Sequence, residues 1–342
     1  MSTREQRLSE LRPVSAAEYA AFAENRHPDP ARIDESTFVL AMPLPSRAYV
    51  TSTLTYVFRR DDGVGTVVDP GWGTDENMAR LREALDAWAI DRVEAVVCTH
   101  LHDDHLGMAD RIRDEYGADL VLSRQEWRTL QADPFGAGFD DSMDAWGVPE
   151  DRRIRSQPGA SALRLASAPD RLVDDGEEID VGRPLRVIMT PGHTQGGIAL
   201  VDEQKRRILT GDHVMPHLNP GLGLGYVGDG DPIADYYEST ERLLAWDGFV
   251  VLPGHGYRFA ALGRRARTHV SHHLRRSREV ARVLDEDPSA SVWRVASQLS
   301  WTAGWDALEG YFLFSALSQT AMHMRFVGDA DRAARWLAHP EF

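Results

Sequence analysis

Thr99-His100-Leu101-His102-Asp103-Asp104-His105-Leu106-Gly107 delivers three imidazoles and a carboxylate from the end of one apolar run, Val93 to Cys98, just ahead of a helical stretch. Neutral imidazoles and ionised carboxylates are good ligands for divalent metals, and catalytic sites gather such ligands from several loops at one edge of a rigid scaffold. Three more candidates stand in turn-like contexts after runs that read as strands. They are His193 in Thr190-Pro191-Gly192-His193-Thr194, Asp212 in Thr210-Gly211-Asp212-His213, and His255 in Leu252-Pro253-Gly254-His255-Gly256. Any one of these histidines alone reads as a core or surface residue satisfied by hydrogen bonds. Jointly, His100, His102, Asp104, His105, His193, Asp212 and His255 read as a metal site. Seven donors exceed the four that one tetrahedral zinc uses, so two divalent ions are expected. All the donors are N or O with no cysteine, which makes zinc (Zn2+) the first choice and iron or manganese the alternatives. Two such ions lower the pKa of a shared water towards about 7 and so supply a hydroxide nucleophile, with Asp104 expected both to ligate and to orient it as the catalytic carboxylate.

Elements able to hold such a set follow from the periodicity. Short β-rich runs at Thr37 to Met42, Val50 to Phe58 and Val64 to Val68 are punctuated by Asp61-Asp62-Gly63 and Asp69-Pro70-Gly71, and an antiparallel sheet is expected from there on. Asp75 to Ala89 has helical spacing and leads to the buried strand Val93 to Cys98, a β-α-β step. A helix near Leu106 to Tyr116 and a strand at Asp119 to Leu122 follow. Further strands are expected at Glu177 to Val181, Leu185 to Met189, Gly197 to Val201, Arg207 to Leu209 and Phe249 to Leu252. This mixed order predicts α/β layers. Residues 1–35, with a helical stretch at Ala16 to Ala23, read as an N-terminal arm, 36–262 as the catalytic domain, and 263–342 as a helical unit. Within the catalytic domain, 123–164 is rich in Trp, Gly, Asp and Pro and reads as an insertion or lid. Its Trp127, Phe135, Phe139 and Trp146 are candidates for an apolar lid, or for packing against the sheets.

With these residues in place, the chain resembles the metallo-β-lactamase superfamily, whose members carry this H-x-H-x-D-H segment, then a lone His, a lone Asp and a final His. The resemblance implies an αββα sandwich. It also implies a first metal on His100, His102 and His193, a second on Asp104, His105 and His255, and Asp212 bridging them. Asp69 matches the family's aspartate that orients ligands from behind, with Pro70 where a small residue is usual. The runs Pro191-Gly192-His193-Thr194 and Pro253-Gly254-His255-Gly256 look most like the glyoxalase II-like group. His272-His273 followed by arginines and short helices is similar to the winged-helix-like C-terminal segment of the branch that includes β-lactamase-like protein 2. In that branch an arginine is expected where His217 stands. The likeness spans about residues 37–342.

A net charge of −15 repels phosphate backbones at long range and argues against a nucleic-acid partner. The arginine run Arg264, Arg265, Arg267, Arg275, Arg276 and Arg278 reads as a solvated helix face. No stretch approaches the length of a membrane span, and the first ten residues carry no apolar leader core, so a cytoplasmic protein is expected. The lone Cys98 excludes an internal disulfide. His213 is expected to point away from the metals, while His217, Asn219, His272 and His273 either line the cleft or serve ordinary helix and loop roles. The resemblance makes hydrolysis of an acyl thioester the leading expectation, with a small-molecule acyl substrate as partner. Phosphodiester hydrolysis, lactone or β-lactam hydrolysis, and a non-enzymatic binding module with structural metals are the alternatives.

Overall fold

The run Thr37–Pro43 is TFVLAMP, apolar on both of its alternating faces, so neither face can be left to water and the strand needs a neighbouring layer on each side. The fold is the answer to that requirement. A computed structural model describes residues 11–45, 50–132, 139–154 and 165–339. In chain order it forms β1 (Arg12–Pro13), α1 (Ala16–Ala23), β2 (Ala31–Arg32), β3 (Thr37–Pro43), β4 (Ser52–Arg59), β5 (Val64–Val68), α2 (Asp75–Ala87) and β6 (Arg92–Val97). Next come α3 (Asp103–Leu106), α4 (Ala109–Tyr116), β7 (Asp119–Ser123), α5 (Arg124–Gln131), α6 (Phe139–Ala145), β8 (Arg171–Val173), β9 (Glu178–Asp180) and β10 (Pro184–Met189). The chain ends through β11 (Ile198–Asp202), β12 (Arg207–Gly211), α7 (Pro232–Leu243), β13 (Val250–Pro253), β14 (Phe259–Ala260), α8 (Leu262–Glu286), α9 (Val292–Ala296), α10 (Gly310–Gly328) and α11 (Ala330–Leu337).

Among the described residues two seven-stranded sheets form, in the orders β2-β3-β4-β5-β6-β7-β8 and β1-β14-β13-β12-β11-β10-β9. Val39 and Ala41 of β3 face Val187 and Leu200 across the space between the sheets. Phe38, Leu40 and Met42 face the other way, onto Met78, Leu81 and Leu85 of α2 and Ile112 of α4. On the outside of the second sheet, Val201, Ile208 and Val251 meet Leu243, Leu262 and Ala266 of α7 and α8. The expected αββα sandwich is therefore what packs.

Several segments differ from their sequence reading. The arm supplies edge strands to both sheets, because β1 pairs with β14 and β2 with β3. It is fixed by a buried ion pair from Arg258 Nε to Glu18 Oε1 at 2.7 Å. The helix expected from Leu106 starts earlier, as α3, and is interrupted before α4. The 123–164 stretch opens with α5, capped when Ser123 Oγ accepts from Glu126 N at 3.1 Å, and Trp127 packs on the outer core of the first sheet. Trp146 packs with Leu313 and Leu317 of α10. Phe135 and the side chain of Phe139 lie outside the described residues.

From Leu262 onward every described element is helical. These helices share a core with the sandwich side: Val270, Leu274, Phe326 and Trp336 pack with Leu222, Ile233 and Tyr237. The arginine run is not simply solvated. Arg265 Nε donates to Met215 O at 2.7 Å, and Arg276 donates to Ser300 O at 2.7 Å while lying over the Trp301 ring. No helix among the described residues is long and apolar enough to cross a membrane.

Candidate metal centre

Strands β5 and β6 run parallel, as do β12 and β13, and β10 runs with β12 because both are antiparallel to β11. Their carboxyl ends meet at one edge of the sandwich, the usual place for a site in such layers. Every candidate ligand lies just past such an end: His100, His102, Asp104 and His105 after β6, His193 after β10, Asp212 after β12, and His255 after β13. Two backbone hydrogen bonds join the sheets here, Leu54 N to Gly254 O at 2.7 Å and Ile198 N to Thr99 O at 2.9 Å.

All seven residues converge. His100 Nε2 lies 3.0 Å from His102 Nδ1, which in turn is 3.2 Å from His193 Nε2. On the other side His105 Nε2 and His255 Nε2 are 3.3 Å apart, with Asp104 Oδ2 3.2 Å from His255 Nε2. Asp212 stands between the two groups: Oδ1 is 3.3 Å from His255 Nε2, and Oδ2 is 3.8 Å from His193 Nε2. His100, His102 and His193 form one set able to hold an ion, and Asp104, His105 and His255 another. The packing leaves no slack. A Cβ on Gly254 would lie 2.5 Å from Asp212 Oδ1 and 2.7 Å from His105 Cε1, so only glycine fits there.

Whether these residues suit a metal is decided by their outer nitrogens. His193 Nδ1 donates to Gly221 O at 2.6 Å, His255 Nδ1 to Ser52 O at 2.8 Å and His105 Nδ1 to Asp69 Oδ2 at 2.9 Å. The Thr99 hydroxyl donates to Asp69 Oδ2 at 2.8 Å, so it accepts from His100 Nδ1 at 3.0 Å. Once an imidazole spends its proton outward, its other nitrogen turns a lone pair inward, and the Nε2 lone pairs of His105 and His255, 3.3 Å apart, need a cation between them. The donor set fits divalent metal ions.

Electrostatics agree with the geometry. Burial holds His100 and His102 well down, His102 to about 3, and lowers His193 as well, so these three stay neutral. Burial also opposes a charge on His105 and His255. There the carboxylates of Asp69, Asp104 and Asp212 outweigh it, pushing His105 well up and His255 to about 10. Positive charge is favoured between those groups.

Asp69 does what the resemblance implies: it is 2% exposed, has a left-handed φ of 53°, and accepts from Thr99 N at 2.7 Å as well as from His105. His213 turns away, with Nε2 3.1 Å from Thr240 Oγ1. His217 packs 4.6 Å from the Phe22 ring and against Gly256, beside His255. His273 is buried next to Tyr236, His272 is exposed on α8, and Asn219 lies 2.9 Å from His269 Nδ1. Sequence reasoning missed the supports. Thr53 Oγ1 donates to Asp104 O at 2.7 Å, and the Thr194 hydroxyl donates to the buried Glu126 Oε1. Ser52 and Gly221 act through backbone carbonyls, which carry no signature in sequence.

A sequence profile described as the metallo-beta-lactamase superfamily matches residues 48–255, a span holding all seven clustered residues. Over 304 residues the chain is 29% identical to the probable metallo-hydrolase YqjP of Bacillus subtilis, covering 84% of this chain and 91% of that protein. It is 25% identical to the beta-lactamase-like protein 2 homolog of Caenorhabditis elegans over 231 residues, 67% of this chain and 64% of that one. Among solved structures, a beta-lactamase domain protein from Burkholderia ambifaria aligns with a TM-score of 0.74 at 21% identity, over 95% of this chain and 93% of the other. A metallo-beta-lactamase family protein from Thermus thermophilus aligns at 0.70 and 23% identity, over 88% and 95%. At such identities the two structures attest the fold alone.

Proposed function

This chain belongs to the metallo-β-lactamase superfamily, and from that premise we propose that it is a cytoplasmic dinuclear metal-dependent hydrolase acting on acyl bonds, with a small-molecule thioester as the leading substrate class. The observation that supports the dinuclear reading is the pair of adjoining donor sets joined by the two oxygens of Asp212. Two divalent ions bound there, zinc first among them, would lower the pKa of a water and polarise the bond it attacks. His100, His102 and His193 would hold one, Asp104, His105 and His255 the other.

The chain's own part is placement. Asp104 is the carboxylate most open to the cleft, its side chain 17% exposed against 11% for Asp212 and 2% for His255. Its backbone is pinned by Thr53 and its Oδ2 lies 3.2 Å from His255 Nε2, so with ions bound the carboxylate would ligate on that side and orient the attacking water. Asp69 and Thr99 hold His105 and His100 in the tautomers that keep this geometry.

Substrate choice must come from charge and shape, since the same centre can attack carbonyl or phosphoryl groups. A polyanion would approach against the net charge of −15. Arg265 and Arg276 are committed to backbone carbonyls, so neither is at hand for a phosphate. A thioester releases a weakly basic thiolate that needs little protonation, which suits a site where no dedicated general acid stands among the described residues. The test is kcat/KM for acyl-thioester and bis-aryl phosphodiester model substrates at equal metal loading. We expect the thioester to be favoured by about tenfold or more, as small differences in transition-state contacts allow. A clear phosphodiester preference would overturn the acyl reading and leave the metal centre standing.

A further inference from the structure

The stretch Met215-Pro216-His217-Leu218-Asn219-Pro220-Gly221-Leu222-Gly223-Leu224 has two prolines and two glycines and forms neither helix nor strand. Nothing local fixes its path, so its position must be imposed by what it touches. One side of it touches the metal centre. Gly221 O accepts the His193 Nδ1 proton at 2.6 Å, Gly223 N donates to Gly192 O at 2.8 Å, and Leu224 N donates to His193 O at 2.9 Å.

The other side is held by the C-terminal helices. On α8, Arg265 donates to Met215 O at 2.7 Å and to Leu218 O at 2.8 Å, and His269 Nε2 lies 3.1 Å from Met215 O. On α10, Gln319 Nε2 donates to Leu222 O at 2.7 Å. One turn on, Met322 packs so closely on Gly223 that a Cβ there would collide with its Sδ and Cε. Leu222 itself is fully buried against residues of α8 and α10. Gln319 therefore grips the peptide unit next to the carbonyl that orients His193.

We propose that the C-terminal helical unit is part of the support of the metal centre, with Gln319 a positioning residue that fixes the Gly221 carbonyl and, through it, the tautomer and direction of His193. The inference rests on the reading of His193 as a metal ligand. A carbonyl can only accept, so while Gly221 O stays in place the His193 proton stays on Nδ1 and the Nε2 lone pair stays turned towards His102. Without Gln319, Leu222 O loses its donor and the Gly221 peptide is held through Gly223 N, Leu224 N and Arg265, so the imidazole's partner is less firmly fixed. Loss of such an outer partner weakens metal binding rather than the fold as a whole.

The experiment uses the full chain and zinc alone as probe, with affinity read by competition against a chelator and the His193 tautomer read from its imidazole nitrogen chemical shifts. Gln319→Ala removes the donor; Gln319→Glu keeps size and packing but places an acceptor against Leu222 O. Arg278→Ala is the control, since Arg278 bonds Leu337 O in the same tail and does not touch the loop. Both Gln319 variants should weaken zinc at the His100, His102 and His193 set by about tenfold and alter the His193 nitrogen shifts, the range seen when outer partners of ligands are lost. Arg278→Ala should leave zinc affinity within about twofold of wild type, and the melting temperature of each metal-free variant separates loss of the fold from loss of the site. Folded Gln319 variants with wild-type affinity overturn the proposal, and so does an equal loss in Arg278→Ala, which would mean the tail acts through general stability. Wild-type protein that takes up no zinc overturns the metal-centre reading itself, a failure visible before any variant is compared.

Discussion

Glu126 is fully buried beneath the turn that carries His193, and its carboxyl accepts from the Thr194 hydroxyl. Burial raises its pKa from 4.5 to about 7, outweighing the hydrogen bonds from Thr194 and from the backbone of Leu101 and Gly196. The folded state thus binds this proton more tightly than the unfolded chain does. Its contribution to stability is complete below about pH 4.5 and is lost as pH rises through about 7. Glu126→Gln keeps the acceptor for Thr194 and removes the titration. Between pH 5 and pH 8 the variant should gain on wild type by up to about 3 kcal/mol, read from denaturant midpoints. Parallel stabilities at the two pH values would contradict the raised pKa. At this scale the sequence showed the ligands well, because imidazole and carboxylate are themselves the chemistry. It did not show Ser52 or Gly221, whose carbonyls are common to every residue, nor Glu126, whose role depends on a burial that no local pattern encodes.

Elements hold those residues through ends rather than middles. The long helix α8 begins at Leu262 and buries Leu262, Ala266, Val270 and Leu274 at helical spacing, with its arginines set between them. The central strands and α1 were legible from alternation and helical spacing. The two-residue strands β1 and β2 were not, being too short to show any period. The tail's place against the sandwich was also hidden, since it depends on Val270, Leu274, Phe326 and Trp336 meeting residues from far back in the chain. Removing residues from 264 onward would uncover that core and release the 215–224 loop. The truncated chain is expected to aggregate or to lose metal, with kcat/KM falling by at least about tenfold at any fixed metal concentration. Unchanged kinetics and metal content in a soluble truncation would show the tail to be a separate module.

For the whole molecule, two sheets and their outer helices serve to bring four turns to one edge, where five imidazoles and two carboxylates close on one another. The parallel strand pairs make this possible by sending successive carboxyl ends the same way, and the crowding around Gly254 sets the spacing. Membership of the superfamily accords with a His/Asp site for divalent metal, and the outward hydrogen bonds of His100, His105, His193 and His255 account for the inward lone pairs. The metal centre stands or falls on the ions themselves. The most direct measurement is elemental analysis of purified, metal-replete protein after removal of loosely bound metal. Close to two transition-metal ions per chain is the expected result, as the donor count exceeds what one tetrahedral ion takes. A single ion, or none, with Asp104 and His255 intact would contradict the two-metal centre and leave the second donor set needing another explanation.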